Sequence, residues 1–329
     1  LLLSPLKRSA LLVGRPGSGK SALVRELARR RCSSLPLLPA IWSASAARAI
    51  AGQVGFGMWQ ERCQKVAKEL AESGAILHMN QLWEWLQVGM TTPGQQSAGG
   101  FLRSWIARGE IQVIAECAPE QLEILRRLDP SLLNCFHVLQ IAERDEKQTA
   151  AILRQVWSAA PGAAPANADE AKSTNHALEW VRRLHARYAA YSASPGRPVR
   201  FLENLLTDAA PSKTLTPAAV LARFQRETGL PASLIDDDVP LDLGAARDWF
   251  DSRVMDQREA ADRVLDLLAI VKARLARPRK PLASFLFLGP TGTGKTEMAK
   301  ALAEFVFGDP ARLTRFDLNE FNNPLAVQR

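Results

Sequence analysis

Two short glycine-rich segments carry the residue types that hold the phosphates of a nucleotide. GRPGSGKS spans residues 14–21 and GPTGTGKT spans residues 289–296, and both match the Walker A pattern G-x-x-x-x-G-K-[ST]. In such a loop the backbone N–H groups surround the phosphates, the lysine contacts the outer phosphates, and the hydroxyl residue ligates Mg²⁺. We therefore predict two sites for ATP with Mg²⁺. The predicted ATP-binding residues are Gly14, Arg15, Pro16, Gly17, Ser18, Gly19, Lys20 and Ser21, then Gly289, Pro290, Thr291, Gly292, Thr293, Gly294, Lys295 and Thr296, with Ser21 and Thr296 as the Mg²⁺ ligands.

The segments around these loops predict the elements that must position them. Each loop follows an apolar segment, SALLV (9–13) or SFLFL (284–288), and each precedes a helical pattern. A chance glycine-rich turn could imitate one such motif. Two matches in strand-to-helix context favour two nucleotide-binding modules in tandem.

The chain between the loops predicts an α/β fold of the P-loop class, with a mostly parallel sheet covered by helices on both faces. AILHMN (75–80) and IQVIAE (111–116) are strand candidates with polar residues at their carboxyl ends, where such sheets place ligands. From about Ala142 the periodicity becomes helical, and residues 161–174 are predicted as a polar connection. We predict a first α/β subdomain (1–141), a helical lid (142–212), a linker (213–245) and the start of a second α/β subdomain (246–329).

Composition limits the location and the partners that can be expected for the protein. The 329 residues include no apolar run long enough to span a bilayer, which predicts a protein that does not enter the membrane. The four cysteines are widely spaced, which favours a reducing, cytoplasmic location. The net charge of +8 is scattered, and its two basic clusters (28–32 and 272–281) do not alternate with aromatic residues, so a nucleic-acid partner is not favoured. The chain begins without Met, and we predict that it is a fragment.

Several motifs together resemble the Clp family of two-module AAA+ unfoldases, the ClpA and ClpB kind. They include ARGE (107–110), RVMDQREA (253–260) and, most specifically, SFLFLGPTGTGKTEMAKALAEFVFGD (284–309). The range 142–212 has no room for a long coiled-coil insertion, so the layout is similar to ClpA. The resemblance implies a ring-forming ATPase, a homo-hexamer that acts on protein substrates, with a peptidase or an adaptor as a possible partner.

The resemblance places two neutral amides where the family carries acids. The Asp-Glu pair of the Walker B strand supports Mg²⁺ and polarises the attacking water, and ILHMNQLW puts Asn80 and Gln81 at these positions. An amide cannot accept the proton of the water. Loss of a positioned general base costs about 10²- to 10⁴-fold in rate. The alternative is a misalignment in which the acid lies elsewhere, and Glu84 is one turn away.

Two other positions depart from the family in the same direction. Asn134 and Cys135 stand where family members place a pair of arginines that reach the nucleotide of the neighbouring subunit. Glu116 and Cys117 align near the polar sensor, where an acid would repel the γ-phosphate. We therefore expect a first module that binds ATP, hydrolyses it poorly and mainly assists assembly.

Other residues have less specific interpretations. The pore loop that grips polypeptide in the family aligns with Gly55 and Phe56, and a packing role for Phe56 stays open. Arg197 and Arg200 lie near the lid-side nucleotide contact of the family, with surface charge as the alternative. His78, which alternates into an apolar strand, is interpreted as a hydrogen-bonded core histidine and not as a metal ligand.

Two functional classes follow from these observations. The first is an ATP-driven protein unfoldase or remodeller whose second module supplies the hydrolysis. The alternative is a non-threading AAA+ regulator, or a DNA-associated switch, that uses nucleotide only to change state.

Overall fold

The computed structural model describes residues 2–3, 8–50, 58–88, 97–161, 167–188, 192–208, 215–275 and 281–318. The chain folds into two compact units. Unit 1 comprises residues 1–152 and 192–200, and unit 2 comprises residues 153–191 and 201–329.

A five-stranded parallel sheet forms the centre of unit 1. Its strands are β1 (Ser9–Val13), β2 (Ile41–Ala44), β3 (Ile76–Met79), β4 (Gln112–Cys117) and β5 (Phe136–Gln140). Their spatial order is β2-β3-β4-β1-β5, so β1 and the loop that follows it lie between β4 and β5. This order places the end of β1 next to the end of β4. The predicted α/β fold with a parallel sheet is confirmed, as are the strands at SALLV, AILHMN and IQVIAE.

Helices surround the strands in sequence. The helices of the first part of the chain are α1 (Lys20–Arg31), α2 (Ala46–Ile50), α3 (Met58–Ser73), α4 (Leu82–Gln87), α5 (Ala98–Ala107), α6 (Pro119–Leu128), α7 (Pro130–Leu133) and α8 (Glu146–Ser158). The later helices are α9 (Ala168–Tyr188), α10 (Gly196–Asp208), α11 (Pro217–Thr228), α12 (Ala232–Ile235), α13 (Leu243–Arg253), α14 (Arg258–Lys272) and α15 (Lys295–Phe307), followed by a 3₁₀ turn at Pro310–Arg312. Two of these helices, α11 and α12, lie within the range 213–245 that the sequence predicts as a linker.

Alternation along the strands creates a separate apolar cluster on each face of the sheet. Leu11, Val13 and Leu77 belong to a large cluster that includes residues of α3, α5 and α6. Leu12 and Ile76 point the other way, into a smaller cluster with Val24 of α1. Helices therefore cover both faces, as the sequence predicts, and α1 packs on the face of the smaller cluster.

Two predictions about elements are wrong. No strand forms at SFLFL (284–288) among the described residues 281–318, because a strand needs a hydrogen-bonded neighbour and this stretch has none there. Leu286 and Leu288 of this segment are more than four-fifths exposed. The polar connection predicted at residues 161–174 is shorter than expected, since α9 begins at Ala168. The side chain of Asn167, directly before α9, accepts a hydrogen bond from the backbone N–H of Glu170 at 2.9 Å, as an N-terminal cap does.

Unit 2 has a helical core of its own. Phe250, Val264 and Met298 are almost fully buried and connect α13, α14 and α15. In the part of the chain that the structure describes, every helix is too short or too polar to cross a bilayer.

Candidate nucleotide-binding site

The first glycine-rich loop joins the buried strand β1 to helix α1. Gly17 and Gly19 have φ values of 90° and 100°, a left-handed conformation that glycine adopts without a steric penalty. Gly19 is also the N-cap of α1, and no side chain caps that end of the helix. The first N–H groups of α1 therefore face the loop, which is the arrangement that binds anionic phosphates.

Lys20 lies over this loop. Its ammonium donates hydrogen bonds to the carbonyl oxygens of Gly14 at 2.6 Å and Arg15 at 3.1 Å. Burial lowers the pKa of Lys20, while the nearby carboxyl of Glu116 acts in the opposite direction. Arg15 forms an ion pair with Glu143 at 2.7 Å, which ties the loop to the chain that follows β5.

The segment that leads into α10 contacts the loop within unit 1. The backbone N–H of Ala193 donates to the carbonyl of Pro16 at 2.8 Å, and that of Gly196 donates to the carbonyl of Gly17 at 2.9 Å. A Cβ atom on Gly196 would lie 2.5 Å from the Cα of Gly17. The two glycines thus allow a close approach between two backbones. Arg197 follows directly and is partly exposed, and Arg200 is exposed one turn later.

A buried carboxylate lies within a chain of hydrogen-bonded polar side chains beneath α1. Ser21 Oγ donates to Glu116 Oε2 at 2.9 Å, and Glu116 Oε1 lies 2.9 Å from His78 Nε2. His78 Nδ1 is 3.1 Å from Ser43 Oγ. His78 and Glu116 are 6% and 3% exposed. His78 is therefore a core histidine with hydrogen-bond partners at both ring nitrogens. The sequence did not predict the contact of Glu116 with Ser21; its only signal was the polar carboxyl ends of the strand candidates AILHMN and IQVIAE.

The two amides of the predicted acid positions lie at the end of β3. Asn80 directly follows the strand and is exposed, and Gln81 is the exposed N-cap of α4. Glu84 lies in the first turn of α4 and is partly exposed. Trp85, in the same helix, is 1% exposed and belongs to the core.

The remaining predicted residues have separate locations. Asn134 is the exposed C-cap of α7, and Cys135 precedes β5. Burial raises the pKa of the Cys135 thiol. Gly55 and Phe56 lie outside the described residues, so their role as a pore loop stays a prediction.

The second loop repeats the conformation of the first. Gly292 and Gly294 have φ values of 86° and 84°, and Gly294 is the N-cap of α15. Lys295 donates to the carbonyls of Gly289, at 2.8 Å, and Pro290. Lys20 and Lys295 thus contact the residues six and five positions before them in their own loops. The two motifs fold alike, although Thr296 is exposed and the apolar segment before it is not a strand.

The residues of the first loop fit a bound triphosphate with Mg²⁺. Ser18 is 2% exposed, and its hydroxyl is buried with no hydrogen-bond partner among the described residues. A Cβ atom on Gly14 would lie 2.7 Å from that hydroxyl, so the loop must have glycine there. Mg²⁺ commonly binds through one or two protein groups together with substrate phosphates, and the hydroxyl of Ser21 can be one of these protein groups. Among the described residues no cluster of three or more His, Cys, Asp or Glu side chains forms a separate metal site.

Comparison with known proteins places these features in context. Residues 280–329 match the family described as AAA domain (Cdc48 subfamily). The whole chain is 25% identical to the chaperone protein ClpB of Aquifex aeolicus (strain VF5) and covers 44% of it. Over 98% of its length it is 26% identical to the ATP-dependent Clp protease ATP-binding subunit ClpC of Staphylococcus aureus (strain USA300), covering 47% of that protein.

Solved structures of Hsp104 share the fold. A closed-state cryo-electron-microscopy reconstruction of Hsp104 with ATPγS and FITC-casein matches 99% of this chain with a TM-score of 0.61 and 26% identity. An extended S. cerevisiae Hsp104–casein complex matches the same share with a TM-score of 0.57 and 26% identity. Each match covers 56% of the Hsp104 chain. The present chain thus spans about half the length of the proteins it matches. The ClpB alignment runs over 448 positions, so that relative carries insertions that this chain lacks.

Proposed function

We propose that this chain, which belongs to the Clp family of AAA+ ATPases, has a first module that binds ATP with Mg²⁺ but hydrolyses it poorly. In this proposal the bound nucleotide mainly assists assembly of a ring, and the second module supplies the hydrolysis that remodels or unfolds protein substrates. The observation that carries the proposal is the combination of a complete phosphate loop after β1, at residues 14–21, with exposed amides after β3, at Asn80 and Gln81.

Binding requires groups that this chain has. The N–H groups of the loop and of the first turn of α1 provide donors, and the helix dipole adds partial positive charge at the same end. Lys20 is held over the loop by two carbonyl oxygens, at 2.6 and 3.1 Å, and can exchange these weak acceptors for phosphate oxygens. Ser21, at the exposed end of α1, offers a hydroxyl oxygen to Mg²⁺.

Hydrolysis requires groups that this chain lacks at the predicted positions. A positioned base must accept a proton from the attacking water, and neither Asn80 nor Gln81 can do so. Loss of that base lowers the rate by about 10²- to 10⁴-fold. If Asn134 and Cys135 occupy the place of the trans arginines, the charge that stabilises phosphoryl transfer is missing as well, and an arginine of this kind contributes about 10³-fold or more.

Partners follow from the relatives. Hsp104 was solved with casein, and the ClpC relative is named as the ATP-binding subunit of a protease. We therefore infer protein substrates, a homo-hexameric ring and a cytoplasmic location, with a peptidase or adaptor as a further partner. Arg197 and Arg200 are proposed lid-side contacts of the nucleotide. The reason is that α10 begins at Gly196, whose backbone N–H donates a hydrogen bond to the carbonyl of Gly17.

The test is equilibrium binding of fluorescent mant-ATP to the 329-residue chain. A Lys295→Ala background restricts binding to the first site. Lys20→Ala in that background should abolish binding, whereas Lys68→Ala, which removes an exposed lysine of α3, should leave it unchanged. Retained binding after Lys20→Ala would refute the proposed site.

A further inference from the structure

The hydrogen-bonded chain Ser43–His78–Glu116–Ser21 carries a further assignment, which rests on the proposed binding of ATP at the first site. We propose that Glu116 is a positioning residue for Mg²⁺: it holds the Ser21 hydroxyl so that the serine oxygen faces the metal. A carboxylate of β4 would then provide the support that the amides after β3 cannot give. The distances of 2.9 Å from Glu116 to Ser21 and 2.9 Å to His78 are those of good hydrogen bonds.

The sheet brings these groups together on one face. Leu12 pairs with Glu116, His78 pairs with Ile114, and Ser43 pairs with His78 in the parallel register. Leu12 and Ile114 belong to the apolar cluster that contains Val24 of α1. Because side chains alternate, Glu116 and His78 lie on the same face as that cluster. The carboxylate thus lies beneath the first turn of α1, in which Ser21 is the second residue.

The chemistry of the hydroxyl makes this contact compatible with metal binding. Serine has one O–H donor and two acceptor lone pairs. When the O–H of Ser21 donates a hydrogen bond to Glu116, both lone pairs of the serine oxygen are left for a cation. The carboxyl group also increases the electron density on that oxygen. Residues that orient a metal ligand in this way commonly contribute about 10- to 100-fold to metal affinity.

His78 holds the carboxylate in this orientation. In the tautomer that has its proton on Nε2, His78 donates a hydrogen bond to a carboxyl oxygen of Glu116. In the neutral imidazole Nδ1 then accepts from the hydroxyl of Ser43. Both carboxyl oxygens of Glu116 and both ring nitrogens of His78 have hydrogen-bond partners, so the rotamer of Glu116 is fixed before Mg²⁺ binds.

The experiment compares nucleotide affinity with and without Mg²⁺. Mant-ATP is titrated into the chain in the Lys295→Ala background, once with excess Mg²⁺ and once with EDTA, and the ratio of the two Kd values is the Mg²⁺ coupling. Glu116→Gln should lower this coupling by about 10-fold. It should leave the Kd in EDTA unchanged or tighter, since it removes a negative charge near the phosphates.

Matched variants separate positioning from stability. Gln112→Leu removes two hydrogen bonds of a buried side chain, to the carbonyls of Leu2 and Arg8, at the opposite end of β4 and should leave the coupling at the wild-type value. If Glu116 acts through Ser21, Glu116→Gln should have no further effect on the coupling in a Ser21→Ala background. Equal weakening of both Kd values by Glu116→Gln would indicate a structural role and overturn the proposal.

The experiment distinguishes failure of the proposed function from failure of the role of Glu116. If mant-ATP does not bind the Lys295→Ala chain at all, the proposed function fails. If it binds and Glu116→Gln leaves the coupling unchanged, only the role of Glu116 fails. Should Glu116→Gln not fold, Glu116→Asp keeps the buried charge but withdraws it by about one methylene, and an unchanged coupling in that variant overturns the proposal equally.

Discussion

At the scale of single residues, binding and hydrolysis depend on different groups. Phosphate binding uses backbone N–H groups and Lys20, and neither changes when an acid elsewhere becomes an amide. Proton transfer depends on one correctly placed base, and its loss cannot be compensated by the loop. We therefore expect the exposed amides Asn80 and Gln81 to lower the rate of hydrolysis and to leave the affinity for ATP unchanged.

Restoring both acids should raise the rate of hydrolysis. Asn80→Asp with Gln81→Glu supplies the missing base, and we expect a gain within the roughly 10²- to 10⁴-fold that a general base contributes, reduced by the lack of trans arginines. The measurement is phosphate release by the Lys295→Ala chain with and without the two changes. Gln87→Glu, a single added charge on the exposed side of α4, is the control. A variant that folds and binds ATP without a gain in rate would mean that the acid positions lie elsewhere.

The cysteines should differ sharply in reactivity. Burial raises the pKa of both Cys63 and Cys117 to about 11, whereas Cys32 is exposed. Only the thiolate reacts with iodoacetamide, so at about pH 8 Cys32 should be labelled first and Cys63 and Cys117 should remain largely unmodified. Mass spectrometry of peptides from the folded chain measures this. Labelling of Cys117 as fast as Cys32 would show that β4 opens readily.

At the scale of elements, the segment that leads into α10 closely approaches the phosphate loop. Three hydrogen bonds from residues 192–196, two from backbone N–H groups and one from Ser192 Oγ, end on the carbonyls of Pro16 and Gly17. The loop conformation and the start of α10 therefore depend on each other.

A side chain at Gly196 should disturb this approach. In Gly196→Ala the new Cβ would lie 2.5 Å from Gly17 Cα, so the loop must move and mant-ATP should bind more weakly. Gly244→Ala is the control, because Gly244 is also in the first turn of a helix, and its Cβ would meet only one side-chain oxygen, at 3.2 Å. That change should leave the binding of mant-ATP intact. Equal affinity of both variants would contradict the coupling of α10 to the loop.

Local sequence predicted the elements whose causes are local. The loops at Gly14–Ser21 and Gly289–Thr296, and the helices after them, follow from residues adjacent in the chain. The network of Ser21, His78 and Glu116 could not be predicted, because it depends on the spatial order of the strands and joins residues up to 95 positions apart. The strand expected at 284–288 failed for the same reason, since apolar composition alone does not supply a pairing neighbour.

At the scale of the whole molecule, two phosphate loops with different surroundings suggest a division of labour. A ligand that binds one state of a protein shifts the equilibrium toward that state by mass action. A first site that holds ATP without consuming it can therefore maintain an assembled ring while the second module turns over. The net charge of +8 offers the alternative of a nucleic-acid partner, whose binding would weaken steeply with salt.

Assembly should depend on the first loop more than on the second. We expect ATP to promote association of the wild-type protein at its natural length and of Lys295→Ala, but not of Lys20→Ala. Analytical ultracentrifugation with ATPγS measures this without hydrolysis. The idea fails if Lys20→Ala associates as well as the wild type, or if Lys295→Ala abolishes association while the first site is filled.

We expect the first site to bind ATP and to keep it intact. Single-turnover hydrolysis tests it most directly: radiolabelled ATP is bound to the Lys295→Ala chain with excess enzyme and Mg²⁺, and the fraction converted to ADP is followed over time. We predict that the nucleotide stays bound and is converted about 10²- to 10⁴-fold more slowly than by a site with its general base. Rapid conversion that Lys20→Ala abolishes would contradict the account.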